Sequence, residues 1–148
     1  MSADSNPTVF VLNGVNLGTL GQRRPEVYGT LTLKDMEKLL REEFPRVTFE
    51  FRQTDHEGEM IGFIREAAGS AGIVVNPGAW THYSYALHDA LEAVEVPKVE
   101  VHLSNVHARE EWRRRSVVSP AVDAVVAGMG ARGYVAAVGY LISRYGER

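Results

Sequence analysis

The sequence contains no cysteine, and this absence removes several kinds of chemistry at once. Disulfide bonds, thiolate nucleophiles, and zinc or iron–sulfur sites built on cysteine are all excluded. Lysine is scarce as well, since the 148 residues include only Lys34, Lys38 and Lys98. Charge of one sign does not dominate, because the formal net charge is -3. A nucleic-acid partner therefore has no electrostatic support, and we predict no nucleic-acid binding.

Long apolar runs are also missing. The apolar run that follows the polar N-terminal residues covers only residues 9–12, which is far too short for a signal peptide or a membrane span. We therefore expect no membrane partner and a cytoplasmic location. Hydrophobic residues make up 45% of the chain and charged residues 24%, as in globular proteins. The length predicts a single domain over residues 1–148, with residues 1–7 flexible.

Strand-like segments alternate with helix-like segments along the chain. Apolar runs and alternating residues predict five strands, at residues 9–12, 47–51, 73–75, 98–102 and 122–127. Apolar residues at helical spacing predict helices at residues 32–44, 61–68, 86–94 and 134–145. Thr32, with Asp35 three residues on, resembles a capping box. The alternation predicts an α/β, flavodoxin-like three-layer fold with a five-stranded parallel sheet in the order 2-1-3-4-5.

Polar side chains concentrate in the loops that follow the first, third and fourth predicted strands. Ligands of such sheets bind at the carboxyl ends of the strands, where the strand order reverses. That edge gathers residues 13–17 with Arg23 and Tyr28, residues 76–82, and residues 102–113. A histidine at such a place is a natural acid or base, because histidines ordinarily have a pKa of ~6.5. A tyrosine is a poor base unless a cation lies nearby.

From about Val9 to about Tyr140, the chain resembles the type II 3-dehydroquinate dehydratases, or type II dehydroquinases. Four motifs carry the resemblance, at residues 13–17, 21–29, 76–84 and 101–105, the last followed by Arg109 and Arg113. The resemblance implies a hydro-lyase that reversibly converts 3-dehydroquinate to 3-dehydroshikimate, in the shikimate pathway of aromatic amino acid biosynthesis or in quinate catabolism. It also implies a homo-oligomer, namely a dodecamer of four trimers, and no cofactor.

The resemblance further implies catalytic roles. Tyr28 is expected to be the base that removes a C2 proton, and Arg23 the cation that keeps this tyrosine anionic. His102 is expected to be the acid that protonates the leaving hydroxyl, in an anti elimination through an enolate. Asn16 is expected to hold a water beside the developing enolate oxygen.

Substrate-binding roles are implied at Asn76, His82, Asp89, Leu103, Ser104 and Arg113. Ser104 and Arg113 match positions that hold a hydroxyl and a carboxylate, and a guanidinium can bind a carboxylate through two parallel hydrogen bonds. Asp89 matches a residue that a neighbouring subunit contributes to the site. Residues 17–29 are expected to act as a lid, in which Arg24 adds a second cation beside Arg23.

A nucleotide-binding module is the alternative that the sequence raises. Residues 128–133 read G-x-G-x-x-G between a predicted strand and a predicted helix, which is the order of a dinucleotide fingerprint. The fingerprint also requires an acidic residue ~20 positions further on, within a βαβ unit, and no further strand is predicted here. We therefore expect these glycines to allow a tight turn and close helix packing.

Metal and imine chemistry are not expected either. The histidines lack a metal-binding spacing, and we interpret His56, His88 and His107 as structural. Lys34 and Lys38 fall on the polar face of a helix. Lys98 begins the fourth predicted strand, which puts it about 13 Å from the catalytic end of that strand. Neither a bound metal nor a lysine Schiff base is predicted.

Overall fold

The computed structural model describes residues 5–22 and 24–147 and contains one parallel sheet. Its order is β2-β1-β3-β4-β5, which confirms the predicted order. Every neighbouring pair of strands runs parallel. The strands are β1 (Thr8–Asn13), β2 (Thr48–Gln53), β3 (Gly72–Asn76), β4 (Lys98–His102) and β5 (Ala124–Ala127). The prediction that residues 1–7 are flexible lies partly outside the described residues, since these exclude residues 1–4, and it stays a prediction.

Helices cover both faces of the sheet. They are α1 (Pro25–Tyr28), α2 (Leu33–Glu43), α3 (Glu57–Glu66), α4 (Tyr85–Ala93) and α5 (Arg132–Gly146). The predicted capping box is present at α2, where the Thr32 side chain accepts from the Asp35 N–H and the Asp35 side chain accepts from the Thr32 N–H. Within the described part of the chain, no helix combines the length and apolarity that a membrane crossing requires.

The segment expected to be only a loop, residues 17–29, contains α1, which the sequence analysis did not predict. This helix is a single turn that begins at Pro25. Proline suits the first helical position, because its missing N–H would have no partner there and its φ angle is already helical. A helix of four residues is too short to show a helical period of apolar residues, which is why the pattern did not reveal it.

Two apolar layers fix the sheet between its helices. Along β1, Val9 and Val11 pack with α2 and α5, whereas Phe10 and Leu12 pack with α3 and α4. This alternation follows from the two-residue period of a strand, and burial on both faces is typical of parallel sheets. Because all five strands run parallel, they present their carboxyl ends along one edge of the sheet.

A buried polar junction ties the ends of β1 and β3 to α5. The Tyr134 hydroxyl donates to Asn13 Oδ1 at 2.7 Å and accepts from Asn76 Nδ2 at 2.8 Å. Asn13 and Asn76 face each other in the sheet register as the last residues of their strands. Burial raises the pKa of Tyr134 well above its ordinary value, so the hydroxyl keeps its proton and remains a donor.

We predict that Tyr134→Phe lowers the free energy of unfolding by roughly 1–3 kcal/mol, because Asn13 Oδ1 and one Nδ2–H of Asn76 lose their partner. Urea denaturation measures this loss. Tyr140→Phe is the matched control, since the Tyr140 hydroxyl only accepts from the exposed Arg144. We expect the control to change stability by less than about 0.5 kcal/mol. Equal losses in the two variants would contradict the importance of the junction.

Candidate active site

A cleft of about 570 Å³, including its open mouth, lies at the carboxyl ends of β1, β3 and β4. Its polar side chains come from three loops that the sequence separates widely. They are Asn16, Tyr28, Asn76, His82, His102, Ser104, Arg109 and Arg113. The predicted gathering of asparagine, histidine, arginine and tyrosine side chains is therefore present.

His102 is held from behind by a buried carboxylate. Its Nε2 hydrogen-bonds to Glu100 Oε2, and the Glu100 side chain is fully buried. Thr81 and Ser119 donate to the same carboxylate, at 2.5 and 2.6 Å. Burial alone would raise the pKa of Glu100, but the hydrogen bonds from His102, Ser119 and Thr81 outweigh burial, and the pKa is lowered. Glu100 is therefore a carboxylate at neutral pH, and His102 Nδ1 is the ring nitrogen left for a ligand.

Tyr28 and Arg109 meet at the lid side of the cleft. The guanidinium carbon of Arg109 lies 5.2 Å from the centroid of the Tyr28 ring, which is within cation–π range. Arg109 Nη1 donates to Ser104 Oγ at 3.2 Å. Its Nη2 is buried and has no hydrogen-bond partner among the described residues. A buried guanidinium with a donor to spare can bind an anionic group or an oxygen of a ligand.

His82 and Arg113 line the cleft and both contact Trp112. The His82 ring meets the Trp112 ring edge-on with centroids 5.0 Å apart, and the Arg113 guanidinium lies over Trp112 at 4.0 Å. Arg113 Nε also pairs with the Glu110 carboxylate. This pairing fixes the guanidinium but occupies one of its donors, so a ligand carboxylate has to use the remaining N–H groups.

The comparison with known proteins gives a consistent result. Residues 7–142 match the family model described as "Dehydroquinase class II". The chain is 50% identical over 147 residues to the 3-dehydroquinate dehydratase of Chlorobaculum tepidum, with 97% of each chain covered. It is 48% identical over 143 residues to the enzyme of that name from Bacillus subtilis, covering 95% of this chain and 97% of the relative.

A solved structure, the type II dehydroquinase from Propionibacterium acnes, superposes with a TM-score of 0.88 at 43% identity, covering 94% of this chain and 98% of the other. The chain belongs to the class II dehydroquinase family. Members of this family are hydro-lyases, so the chain is an enzyme that breaks a carbon–oxygen bond. The expected resemblance and enzyme class are confirmed.

Among the described site residues expected of a class II dehydroquinase, all but one line a single cleft here. Asn16, Tyr28, Asn76, His82, His102, Leu103, Ser104 and Arg113 all line it. Arg23 lies outside the described residues. Asp89 does not line the cleft of its own chain, and it is exposed on α4. The roles assigned to these residues stay predictions.

Arg24, the second cation of the lid, is directed elsewhere. Its Nε pairs with Glu26 Oε1 at 3.2 Å, and both side chains are exposed. The lysines likewise lie away from the cleft. Lys98 is the nearest to His102 along the chain, and its Nζ donates to the Val94 carbonyl, at the opposite end of β4. These positions give Arg24 and Lys98 no contact with the cleft.

Glu100 and Arg109 received no role from sequence reasoning. A signal for Glu100 was available, because residues two apart on a strand share a face, so Glu100 and His102 point the same way. Arg109 was recognised as part of a motif, but its neighbour Tyr28 belongs to a distant segment. No local pattern reveals such a pair.

The glycine motif of residues 128–133 forms a turn that hydrogen-bonds to the end of β4. Gly128 and Gly130 both have positive φ angles, 90° and 57°. Their N–H groups donate to the carbonyls of His102 and Leu103, at 3.2 and 3.1 Å. A Cβ atom on Gly133 would lie 3.3 Å from side chains of Val101 and Val126, so α5 packs closely on the sheet. The expected tight turn and close packing are confirmed, and the turn holds the strand end that carries His102.

His82, at the end of the turn before α4, and His88, within α4, lie in different environments. Burial lowers the pKa of His82 below its ordinary 6.5, although a hydrogen bond to the Arg115 carbonyl partly opposes this. A hydrogen bond to the Val117 carbonyl raises the pKa of His88, and Glu92 adds to the effect. His82 is therefore neutral at pH 7.

We predict that NMR titration of the ring nitrogens gives a midpoint below 6.5 for His82 and above 6.5 for His88. As pH falls below about 6.5, His82 binds a proton in the unfolded chain at a higher pH than in the folded chain. Protonation of His82 therefore lowers the stability of the folded state in that range. His88 contributes stability at low pH that is lost as pH rises through its folded pKa. His82→Gln and His88→Gln assign the signals. Midpoints in the reverse order would contradict these environments.

Proposed function

We propose that this chain catalyses the reversible dehydration of 3-dehydroquinate to 3-dehydroshikimate, by anti elimination through an enolate. The observation that carries the proposal is one cleft lined by a tyrosine beside an arginine and by a histidine bound to a buried carboxylate. The names of the Chlorobaculum and Bacillus relatives support the substrate. The reaction belongs to the shikimate pathway or to quinate catabolism in this proposal.

In the first step Tyr28 removes the C2 proton, which is acidic because the adjacent ketone stabilises the enolate. A phenolate is needed for this step, and positive charge beside a phenol favours the phenolate. The Arg109 guanidinium supplies positive charge at the Tyr28 ring, and Arg23 is proposed to supply more. Asn16, which lines the same cleft, is proposed to hold a water at the enolate oxygen.

In the second step His102 gives a proton to the hydroxyl on the neighbouring carbon, the carbon–oxygen bond breaks, and water leaves. Hydroxide is a poor leaving group, so the acid is required. The carboxylate of Glu100 stabilises the imidazolium that donates this proton. The proton taken by Tyr28 and the proton given by His102 balance, and exchange with solvent resets both groups.

Substrate oxygens are proposed to bind across the cleft. Asn76 already uses one amide N–H for Tyr134 and its oxygen for the Gly78 N–H, which leaves its second amide N–H for a substrate. Ser104 and Arg113 are proposed to hold hydroxyl and carboxylate groups, with His82 and Leu103 completing the wall. In the neutral His82 ring, Nδ1–H donates to the Arg115 carbonyl, so Nε2 is left to accept a hydrogen bond from a substrate hydroxyl.

We predict that Tyr28→Phe lowers kcat for 3-dehydroquinate at least about 100-fold, because a positioned base is worth about 10²–10⁴ in rate. The absorbance of the conjugated enone product follows turnover, and calorimetry with a substrate analogue tests that binding is retained. Tyr140→Phe, at a hydroxyl away from the cleft, is expected to keep the wild-type rate. A Tyr28→Phe enzyme with more than about a tenth of wild-type kcat would rule out the base role.

We further propose that the chain assembles as a dodecamer of four trimers in which Asp89 completes a neighbour's cleft. Tyr83, just before α4, and Tyr85, its first residue, are 59% and 67% exposed. Tyr85 and Asp89 are four residues apart on α4 and so share one face. Tyrosine is enriched in subunit contacts, which supports α4 as the face that meets a neighbouring subunit.

Shared clefts predict complementation. Tyr28→Phe chains and Asp89→Ala chains are each expected to be weakly active alone, the second through weaker substrate binding. When the two are dissociated, mixed and reassembled, some clefts receive Tyr28 from one chain and Asp89 from the other, and activity returns. Analytical ultracentrifugation checks reassembly. An active monomer, or a reassembled mixture no better than its parts, would contradict the shared site.

A further inference from the structure

A chain of hydroxyl groups lies behind His102, on the side away from the catalytic cleft. Glu100 accepts three hydrogen bonds in the protein interior, from Thr81 Oγ1 at 2.5 Å, from Ser119 Oγ at 2.6 Å and from His102 Nε2. Thr81 Oγ1 in turn lies 2.7 Å from Ser116 Oγ. Thr81, Ser116 and Ser119 do not line the cleft, but they share a second surface depression with Glu100 and His102.

With Glu100 ionised, the direction of each hydrogen bond in this chain follows from its neighbours. Ser116 Oγ accepts from the N–H groups of Val118 and Ser119, at 3.1 and 2.9 Å. The Thr81 hydroxyl donates to the ionised Glu100, which has no proton to donate. Ser116 must therefore donate to Thr81. The sequence of donors therefore runs from the backbone through Ser116 and Thr81 to Glu100. Such chains polarise one another, so each bond strengthens the next.

We propose that Thr81, Ser116 and Ser119 are positioning residues that keep Glu100 in the carboxylate form and thereby orient His102 as the acid of the elimination. This inference rests on the proposed function, because it assigns these hydroxyls to the acid half of that reaction. A carboxylate accepts all three donors at once, whereas a protonated carboxyl group would have to reverse one of them. The hydroxyls thus select the charge state that fixes Nε2–H towards Glu100 and leaves Nδ1 to the substrate.

The charges around His102 explain why the carboxylate needs this support. Arg113 and Arg109 line the cleft with it, and Arg114 and the titratable His107 share the depression behind it, so arginines lie on both sides of the imidazole. His82 and Tyr28 are the other titratable groups that face it across the cleft. Glu100 is the carboxylate that contacts the imidazole. If its charge is lost, the surrounding cations disfavour the imidazolium that the acid step requires.

Isotope exchange separates this role from a packing role. With substrate in deuterated water, the ratio of deuterium incorporated into unreacted substrate to product formed compares proton removal with loss of hydroxyl. For Thr81→Val we expect kcat for dehydration to fall about 10- to 100-fold, which is within the contribution of a general acid, while that ratio rises at least tenfold and KM changes little. Thr81→Ser, which keeps the hydroxyl, is expected to restore both values.

Two further variants control for folding. Ile73→Val removes a methylene from the core of β3 without touching a polar group, and it is expected to leave rate and ratio unchanged. Ser119→Ala removes the donor to the other oxygen of Glu100 at a half-buried position, and it gives the same test if Thr81→Val fails to fold. A fall in kcat with an unchanged ratio, or an unchanged kcat in both variants, would overturn the proposal.

Ring-nitrogen NMR of His102 tests the proposal apart from the substrate. In the wild type we expect the Nε2–H signal of His102 to show a strong hydrogen bond to Glu100, and in Thr81→Val we expect that hydrogen bond to weaken. A wild-type enzyme that does not turn over 3-dehydroquinate would refute the proposed function, and a Thr81-dependent His102 signal would still support the positioning role. A His102 signal identical in wild type, Thr81→Val and Ser119→Ala would refute it.

Discussion

The junction of Tyr134 with Asn13 and Asn76 is the interaction on which the active-site architecture depends. In the sheet, β1 lies between β2 and β3. The strand order reverses between β1 and β3, and the loops that follow these two strands begin at that point. Polar groups at that point are buried beneath the cleft and would cost roughly 1–3 kcal/mol each without partners. A single hydroxyl from α5 serves both asparagines, and the loops above them are then free to face a ligand.

The acid half of the site is built on a buried charge. Burying a carboxylate is unfavourable unless it is fully hydrogen-bonded and paired, and Glu100 meets both conditions through three donors. Two of them come from segments that pack on β4, the turn at residues 78–82 and the turn at residues 119–121. The position of His102 is therefore part of the fold, because any loosening of these turns leaves a buried charge poorly solvated.

The sequence predicted those features of the structure that local patterns encode. The predicted bounds of β4 agree with the structure because valines alternate with polar residues there and Pro97 precedes them. The predicted capping box of α2 is also present, because its two residues are only three apart in the sequence. Strand order followed from the handedness of crossovers. The features that sequence reasoning missed depend on contacts between distant segments. The lid arginine Arg24 looked like a neighbour of the tyrosine, yet Glu26, two residues away, pairs with it, while Arg109 approaches Tyr28 from another loop.

The base and the acid belong to parts of the molecule with different physical constraints. His102 lies at the end of a central strand with its carbonyl bound by the Gly128 turn, whereas Tyr28 lies on a single-turn helix between the buried Leu20 and the capped start of α2. The acid is consequently oriented by the core before a substrate arrives. The base is oriented by how the lid segment packs on that core, through Leu20 and the Tyr28 ring itself. Substitutions among the groups that hold Glu100 therefore act first on loss of the hydroxyl, and substitutions in the lid act first on removal of the proton, which makes the two steps of the proposed elimination separable in this chain.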